Sequence, residues 1–293
     1  MSPGHGSASG HDASHERLAV LCGDDYAQTP GTIEGISALL AAEKLSAVSC
    51  LVGSPLWPDA AVQLRRLPAR FDTGLHFDLT HDFSGPRPHR PAALALLLLA
   101  AGLRAISRSR VEARLSQQLD RFERHMGRAP DFVDGHQHVH QLPVVRDALL
   151  AILRSRYPSA LPAIRATVPA RPWGLKDSLI ARLGGRELLR ALRREGIPHN
   201  SDFAGIYDFS SAPAFAQRMA EWLSGVRDGG LIVCHPASGD SACGDPIAMA
   251  RAREFAYLAS PVFTSALRER RVRLARFRSL PAAPEGSDRC PPG

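Results

Sequence analysis

Short apolar runs recur along this chain, and several of them stop at an aspartate or a histidine. Residues 18–22 lead into Gly23-Asp24-Asp25, and residues 71–79 contain Gly74-Leu75-His76. Phe132-Val133 precedes Asp134-Gly135-His136, and Leu231-Ile232-Val233-Cys234 ends in His235-Pro236. An apolar run of four to eight residues, bounded by turn formers, reads as a buried strand. Further strands are expected at 46–52, 163–168 and 272–277. Between the runs lie stretches of helical period. Ile33, Ile36, Leu39 and Leu40 mark one over 31–44, and Val111, Leu115, Leu119 and Phe122 mark another over 111–125. Helical pattern also follows Pro143 to residue 153, covers 176–194, and covers 213–226, where a proline opens it. Strand and helix in alternation predict an α/β fold with a parallel sheet covered by helices. A parallel barrel collects its C-terminal strand ends at one mouth, whereas an open doubly wound sheet collects some of them at a crevice. The barrel gathers more strand ends, so a TIM-like (β/α) barrel in a single domain over 17–280 is expected. The tails, 1–16 and 281–293, are Gly-, Ser- and Pro-rich and are expected to be disordered.

The densest chemical signal is Asp134-Gly135-His136-Gln137-His138-Val139-His140. In an extended backbone alternate residues share a face, so His136, His138 and His140 would point the same way. Imidazole is the commonest protein metal ligand. A His-rich surface loop that happens to alternate is the competing reading.

The chain of 293 residues carries a formal charge of +7, almost all of it from arginine, because Lys44 and Lys176 are the only lysines. The cluster Arg268, Arg270, Arg271, Arg273, Arg276 and Arg278 has no run of interleaved aromatics beyond Phe277 and reads as a solvated helix and strand, not a nucleic-acid surface. Among the five cysteines no CxxC pair occurs, and Cys22, Cys50 and Cys234 sit in apolar runs. Reduced thiols in a reducing, cytoplasmic compartment are the expectation. The first sixteen residues lack the apolar core of a secretory signal. Their histidines, His5, His11 and His15, are set apart from the others. The longest apolar run, 92–103, is too short to span a bilayer and reads as a buried or interfacial helix.

A hydrolytic metal needs a few donors and an open position. Asp25, His76 and His136, one carboxylate and two imidazoles from three strand ends, meet that need. Asp24 is then free to act as general base, and His235 to protonate a leaving amine. Singly, Asp24-Asp25 reads as a solvated turn, and His76 as a hydrogen-bonded core histidine. Their shared placement at strand ends is what carries the functional reading.

The blocks Cys22-Gly23-Asp24-Asp25-Tyr26, Gly74-Leu75-His76-Phe77-Asp78-Leu79-Thr80, 134–140 and Cys234-His235-Pro236 resemble, in order, four signatures of the YdjC/ChbG carbohydrate deacetylases. The resemblance spans roughly residues 18–277. It implies a deformed (β/α) barrel and metal-dependent removal of acetyl groups from N-acetylated sugars such as chitin disaccharides. It matches Asp25, His76 and His136 to the metal ligands, Asp24 to the base and His235 to the acid. His138 and His140 are left as substrate-orienting or supporting groups. Tyr26-Ala27-Gln28 stands where the family usually has Phe-Gly, which implies a reshaped first loop and an altered substrate preference. Ligand softness favours zinc, while family members are usually described with magnesium, so the expected cofactor is a divalent cation, Mg or Zn. The partner is an N-acetylated sugar or glycolipid substrate. Segment 92–103 as core helix would leave the substrate open. If it is exposed at the mouth, it points to an acetylated glycolipid such as an N-acetylglucosaminyl polyprenol or hopanoid, with peripheral membrane contact. The rival readings are another metal-dependent barrel hydrolase or isomerase, and a catalytically silent glycan-binding barrel.

Overall fold

The computed structural model describes residues 16–81, 83, 91–102, 105–239 and 245–280. The strands are β1 (Arg17–Tyr26), β2 (Ala47–Cys50), β3 (Asp72–Phe77), β4 (Phe132–Gly135), β5 (Ala163–Ile164), β6 (Phe203–Ala204), β7 (Gly230–Cys234) and β8 (Val272–Leu274). The helices are α1 (Pro30–Ala41), α2 (Trp57–Arg66), α3 (Pro91–Gly102), α4 (Arg108–Met126), α5 (Pro143–Arg156), α6 (Leu175–Ile180), α7 (Arg186–Arg194), α8 (Phe215–Gly225), α9 (Ala248–Ala259) and α10 (Pro261–Glu269).

All strand pairings are parallel, in the order β5-β4-β3-β2-β1-β7-β6, with β8 joined to the start of β1. The two ends of this order meet through hydrogen bonds that lie outside the strand ladder. Ile164 N–H donates to Pro198 O at 2.9 Å, Ala166 N–H to Asn200 Oδ1 at 2.8 Å, and Asn200 Nδ2 donates back to Ala166 O at 2.9 Å. Side-chain amides replacing a strand ladder at this seam make the (β/α) barrel a deformed one.

Period-two alternation sorts the strand residues into two layers. Ala19, Leu21, Val48, Leu75, Val133 and Ile232 pack outward against the helices. Val20, Cys22, Ala47, Phe132, Ala163, Phe203, Leu231 and Val233 form a separate interior cluster with Phe277. Phe132 and Phe277 stack at 4.7 Å between ring centroids to plug the interior. Gly74 admits that plug, because a Cβ there would lie 2.4 Å from the Phe132 ring. One step further along each strand, the inward positions turn polar: Asp24 after Cys22, Ser49 after Ala47, His76 after Gly74, Asp134 after Phe132, and Arg165 after Ala163. The strand ends therefore set a polar layer on top of an apolar floor.

Several expected boundaries shift. The strands expected over 46–52, 71–79 and 163–168 are shorter in the structure. The helix expected over 176–194 is broken at Leu183 and Gly184 (φ +104°), where a glycine pair permits the turn. The helix expected from Pro213 begins instead at Phe215, after a cis Ala212–Pro213 bond. The expected tails, 1–16 and 281–293, fall outside the described residues except for Glu16. Among the described residues no helix is long and apolar enough to cross a membrane.

Candidate metal centre and active site

Neighbouring residues of a strand point to opposite faces, yet Asp24 and Asp25 both reach the barrel mouth. The backbone supplies the reason. Asp25 has φ +65°, and the pairing of β1 with β2 slips between Gly23 and Tyr26. Aspartate tolerates this left-handed conformation better than most residues. Asp24 keeps the inward direction of Cys22, while Asp25 is turned across to His76 and His136.

Asp25 Oδ1 lies 2.9 Å from His136 Nδ1 and 3.3 Å from His76 Nε2. Ligand atoms of the three residues all fall within 4.8 Å of one another, and all three side chains are buried. His76 Nδ1 sits 2.6 Å from Asp134 Oδ1, which also accepts from Ser49 Oγ at 2.5 Å. A carboxylate on one ring nitrogen fixes the other as the ligand atom, the arrangement usual around metal-binding histidines. His136 Nε2 is buried without a hydrogen-bond partner. One carboxylate and two oriented imidazoles fit a divalent cation. Burial alone would raise the Asp25 carboxyl, but Arg251 and His136 reverse that and hold it well below the usual range. Burial opposes a charge on His76, yet Asp134 and Asp24 raise its pKa to about 10. A cation bound here would take the place of the proton that His76 otherwise holds.

Asp24 occupies a second network. Arg165 Nη1 donates to Asp24 Oδ2 at 2.7 Å and Nη2 to Oδ1 at 2.6 Å, a bidentate pair, and Nη2 also contacts Asp134. Burial pushes the Asp24 carboxyl up, and the Arg165 guanidinium more than offsets this, leaving it well below the carboxylate range. Sequence reasoning did not single out Arg165. Its signal was an arginine at an inward position of an otherwise apolar strand, Ala163-Ile164-Arg165-Ala166. Arg251 was missed as well. It donates to Asp25 Oδ2 at 2.8 Å, Gln28 Oε1 at 2.6 Å and Asp245 Oδ2 at 2.6 Å. As one arginine in an arginine-rich helix it left no sequence signal.

The alternation expected for His136, His138 and His140 does not occur. Gln137 (φ 51°) and His138 (φ 60°) are left-handed, and residues 136–141 form a tight helical turn. The turn sends the three rings in different directions. His136 faces Asp25, His140 Nε2 lies 3.0 Å from Arg165 O, and the His138 ring meets Phe203 edge-on at 5.7 Å. Burial lowers His140 to about 4 and also holds His138 well below its usual value. His140 thus holds the backbone at Arg165, just past β5, while His138 lines the cavity.

His235 follows β7, and α9 holds its backbone from both sides. Its N–H donates to Glu254 Oε2, and its carbonyl accepts from Arg251 Nη1 at 3.4 Å. Burial lowers the imidazole to about 4, partly opposed by Asp25 and Asp24, so the ring is neutral near pH 7.

Asp24, Asp25, His76, His136, His138 and His235 all line one cavity of about 390 Å³. A family profile described as YdjC-like protein matches residues 18–269. The chain belongs to that family. Among curated relatives, this YdjC-like protein is 26% identical over 273 residues to a chitooligosaccharide deacetylase of Yersinia pestis (strain Pestoides F), covering 89% of this chain and 98% of that one. It is 37% identical over 139 residues to a carbohydrate deacetylase of Mus musculus, a match covering 43% of this chain and 44% of the mouse protein. Among solved structures, an Enterococcus faecalis V583 protein, provisionally described as a cellobiose-phosphate cleavage protein, superposes with TM-score 0.66 at 19% identity, covering 90% of this chain and 99% of that one. That likeness concerns the fold.

Proposed function

We propose that this YdjC-like protein is a divalent-metal-dependent carbohydrate N-deacetylase that hydrolyses the acetamido group of an N-acetylated sugar, either oligosaccharide or glycolipid. The observation that carries the reading is the meeting of Asp25, His76 and His136 beside Asp24 on the floor of one cavity. Full-length similarity to a chitooligosaccharide deacetylase supports the same substrate class. The buried free thiols Cys22, Cys50 and Cys234 favour a reducing compartment such as the cytoplasm.

Asp25, His76 and His136 would hold the cation, Mg or Zn, which supplies Lewis-acid polarisation of the acetamide carbonyl and activation of water. Asp24, kept ionised by Arg165, accepts the proton released as the water oxygen bonds to the carbonyl carbon. Because Arg165 also makes Asp24 a weak base, the proton is passed on instead of being retained. His235, neutral at rest, carries a proton to the amine nitrogen as the C–N bond breaks, giving acetate and a free amino sugar.

Asp24→Asn tests the base directly. It is expected to keep its cation and to lose acetate release from N-acetylchitobiose by about 100-fold or more. Undiminished turnover in that variant would remove Asp24 from the mechanism.

A further inference from the structure

Asp25 presents its two oxygens to different neighbours. Oδ1 faces the imidazoles, 2.9 Å from His136 Nδ1 and 3.3 Å from His76 Nε2. Oδ2 accepts from Arg251 Nη2 at 2.8 Å. The guanidinium is not free to swing away, because its other edge is held. Nη2 also donates to Gln28 Oε1 at 2.6 Å, and Nε donates to Asp245 Oδ2 at 2.6 Å. Asp245 is itself fixed ahead of α9, where its Oδ1 accepts the Ile247 N–H at 3.1 Å. Arg251 as a whole is only 2% exposed.

Neutralising Asp25 does not account for this arginine. In the loaded centre the Asp25 charge is met by the cation, and a permanent positive charge then stands on the far oxygen of the same carboxylate. Two like charges that share a buried carboxylate repel. Arg251 therefore lowers the affinity of the centre, the opposite of what Asp134 does behind His76. A neutral donor would satisfy Oδ2 without that repulsion. The amide beside it, Gln28, instead turns its oxygen to Arg251.

What the guanidinium secures is the number of Asp25 oxygens on offer. A carboxylate can hold a cation through one oxygen or through both, and a hydrolytic centre needs a coordination position left open. With Oδ2 committed to Arg251, Oδ1 alone faces the imidazoles, and the second oxygen cannot fill the open position. We infer that Arg251 is a positioning residue acting through Asp25: it confines Asp25 to one-oxygen ligation, lowering cation affinity while keeping a coordination position open. This rests on the metal-dependent deacetylase reading and deepens it. The same residue adjoins the acid, since Nη1 lies 3.4 Å from His235 O and the Arg251 carbonyl accepts the Ala237 N–H at 3.2 Å.

The test is zinc affinity of the full chain, measured by competition with a chromogenic chelator. Beside it stand kcat and KM for acetate release from N-acetylchitobiose and octyl β-N-acetylglucosaminide. Arg251→Gln removes the charge and loosens Oδ2. It is expected to bind zinc about tenfold more tightly or better, and to lower kcat about tenfold or more with KM little changed. Arg251→Lys keeps the charge on a single donor, so it is expected to hold zinc within about threefold of wild type and to recover part of kcat. Loss of a residue that only stabilised the fold would not tighten zinc. Zinc affinity unchanged or weaker in Arg251→Gln, or tighter zinc with wild-type kcat, would overturn the inference while leaving the deacetylase standing. If Arg251→Gln does not fold, the lysine variant decides, and a shift in its zinc affinity of about tenfold in either direction would overturn the inference. A zinc-loaded wild type that releases acetate from neither substrate would instead sink the deacetylase reading and the inference with it.

Discussion

His76 Nδ1 lies 2.6 Å from Asp134 Oδ1, and that contact decides which ring nitrogen His76 turns toward Asp25. Asp134 is the carboxylate of the histidine block, two residues before His136, yet it serves a histidine on the neighbouring strand. Asp134→Asn keeps the shape and removes the charge. It is expected to weaken zinc affinity about 10–100-fold, measured by competition with a chromogenic chelator. Wild-type affinity would show that His76 needs no partner to be oriented.

Arg165 neutralises Asp24 and Asp134 together, in a place where neither carboxylate reaches solvent. Arg165→Met leaves Asp24 without its guanidinium and Asp134 with His76 alone, and is predicted to cost about 3–5 kcal/mol in urea unfolding. Arg165→Lys is expected to recover only part, because an ammonium cannot make the bidentate contact. Stability equal to wild type in Arg165→Met would contradict the network.

A titration away from the metal centre gives an independent check on the fold. Asp72 accepts a hydrogen bond from Phe277 N–H at 2.7 Å, beneath the aromatic plug. Burial, with Asp131 adding to it, raises its pKa to about 6. The folded chain then holds this proton more tightly than the unfolded chain does. The contribution, about 3 kcal/mol in full, is present below the unfolded value and is lost as pH rises through about 6. Asp72→Asn should therefore gain stability relative to wild type between pH 4 and 7, measured by denaturant titration at each pH. Parallel profiles for the two proteins would refute the shift.

Glu254 places His235 without touching the reacting atoms. It accepts the His235 N–H and the Tyr207 hydroxyl, the latter at 2.7 Å, and burial raises its pKa to about 7. Glu254→Ala is expected to lower kcat by about tenfold or more with little change in KM, because the acid is displaced and not removed. Glu254→Gln, which keeps an acceptor, should restore most of the rate. A variant pair with equal kcat values would leave Glu254 a purely packing residue.

Period-two alternation made much of this architecture readable. Cys22 to Asp24, Gly74 to His76 and Val233 to His235 each step from an inward apolar position to an inward polar one, so strand ends could be recognised from residue type alone. Local backbone defeats the same rule where it leaves the strand. Left-handed Gln137 and His138 scatter the three histidines, and left-handed Asp25 turns a residue that alternation would send outward into the mouth. Arg165 reaches Asp24 across 141 positions and Arg251 reaches Asp25 across 226, pairings that no local pattern encodes. The break at Leu183 and Gly184 did carry a local signal, the pair Gly184-Gly185, but helical period on both sides masked it.

The central claim is that Asp25, His76 and His136 hold a catalytic cation. Metal content and acetate release, determined on one preparation of wild type and of His136→Ala, test it most directly. The expected result is a wild type that contains a divalent cation, stops releasing acetate on chelation and recovers with zinc or magnesium, beside a variant that lacks both metal and turnover. A His136→Ala protein with full metal content and full turnover, or a chelated wild type that still releases acetate at its original rate, would contradict it.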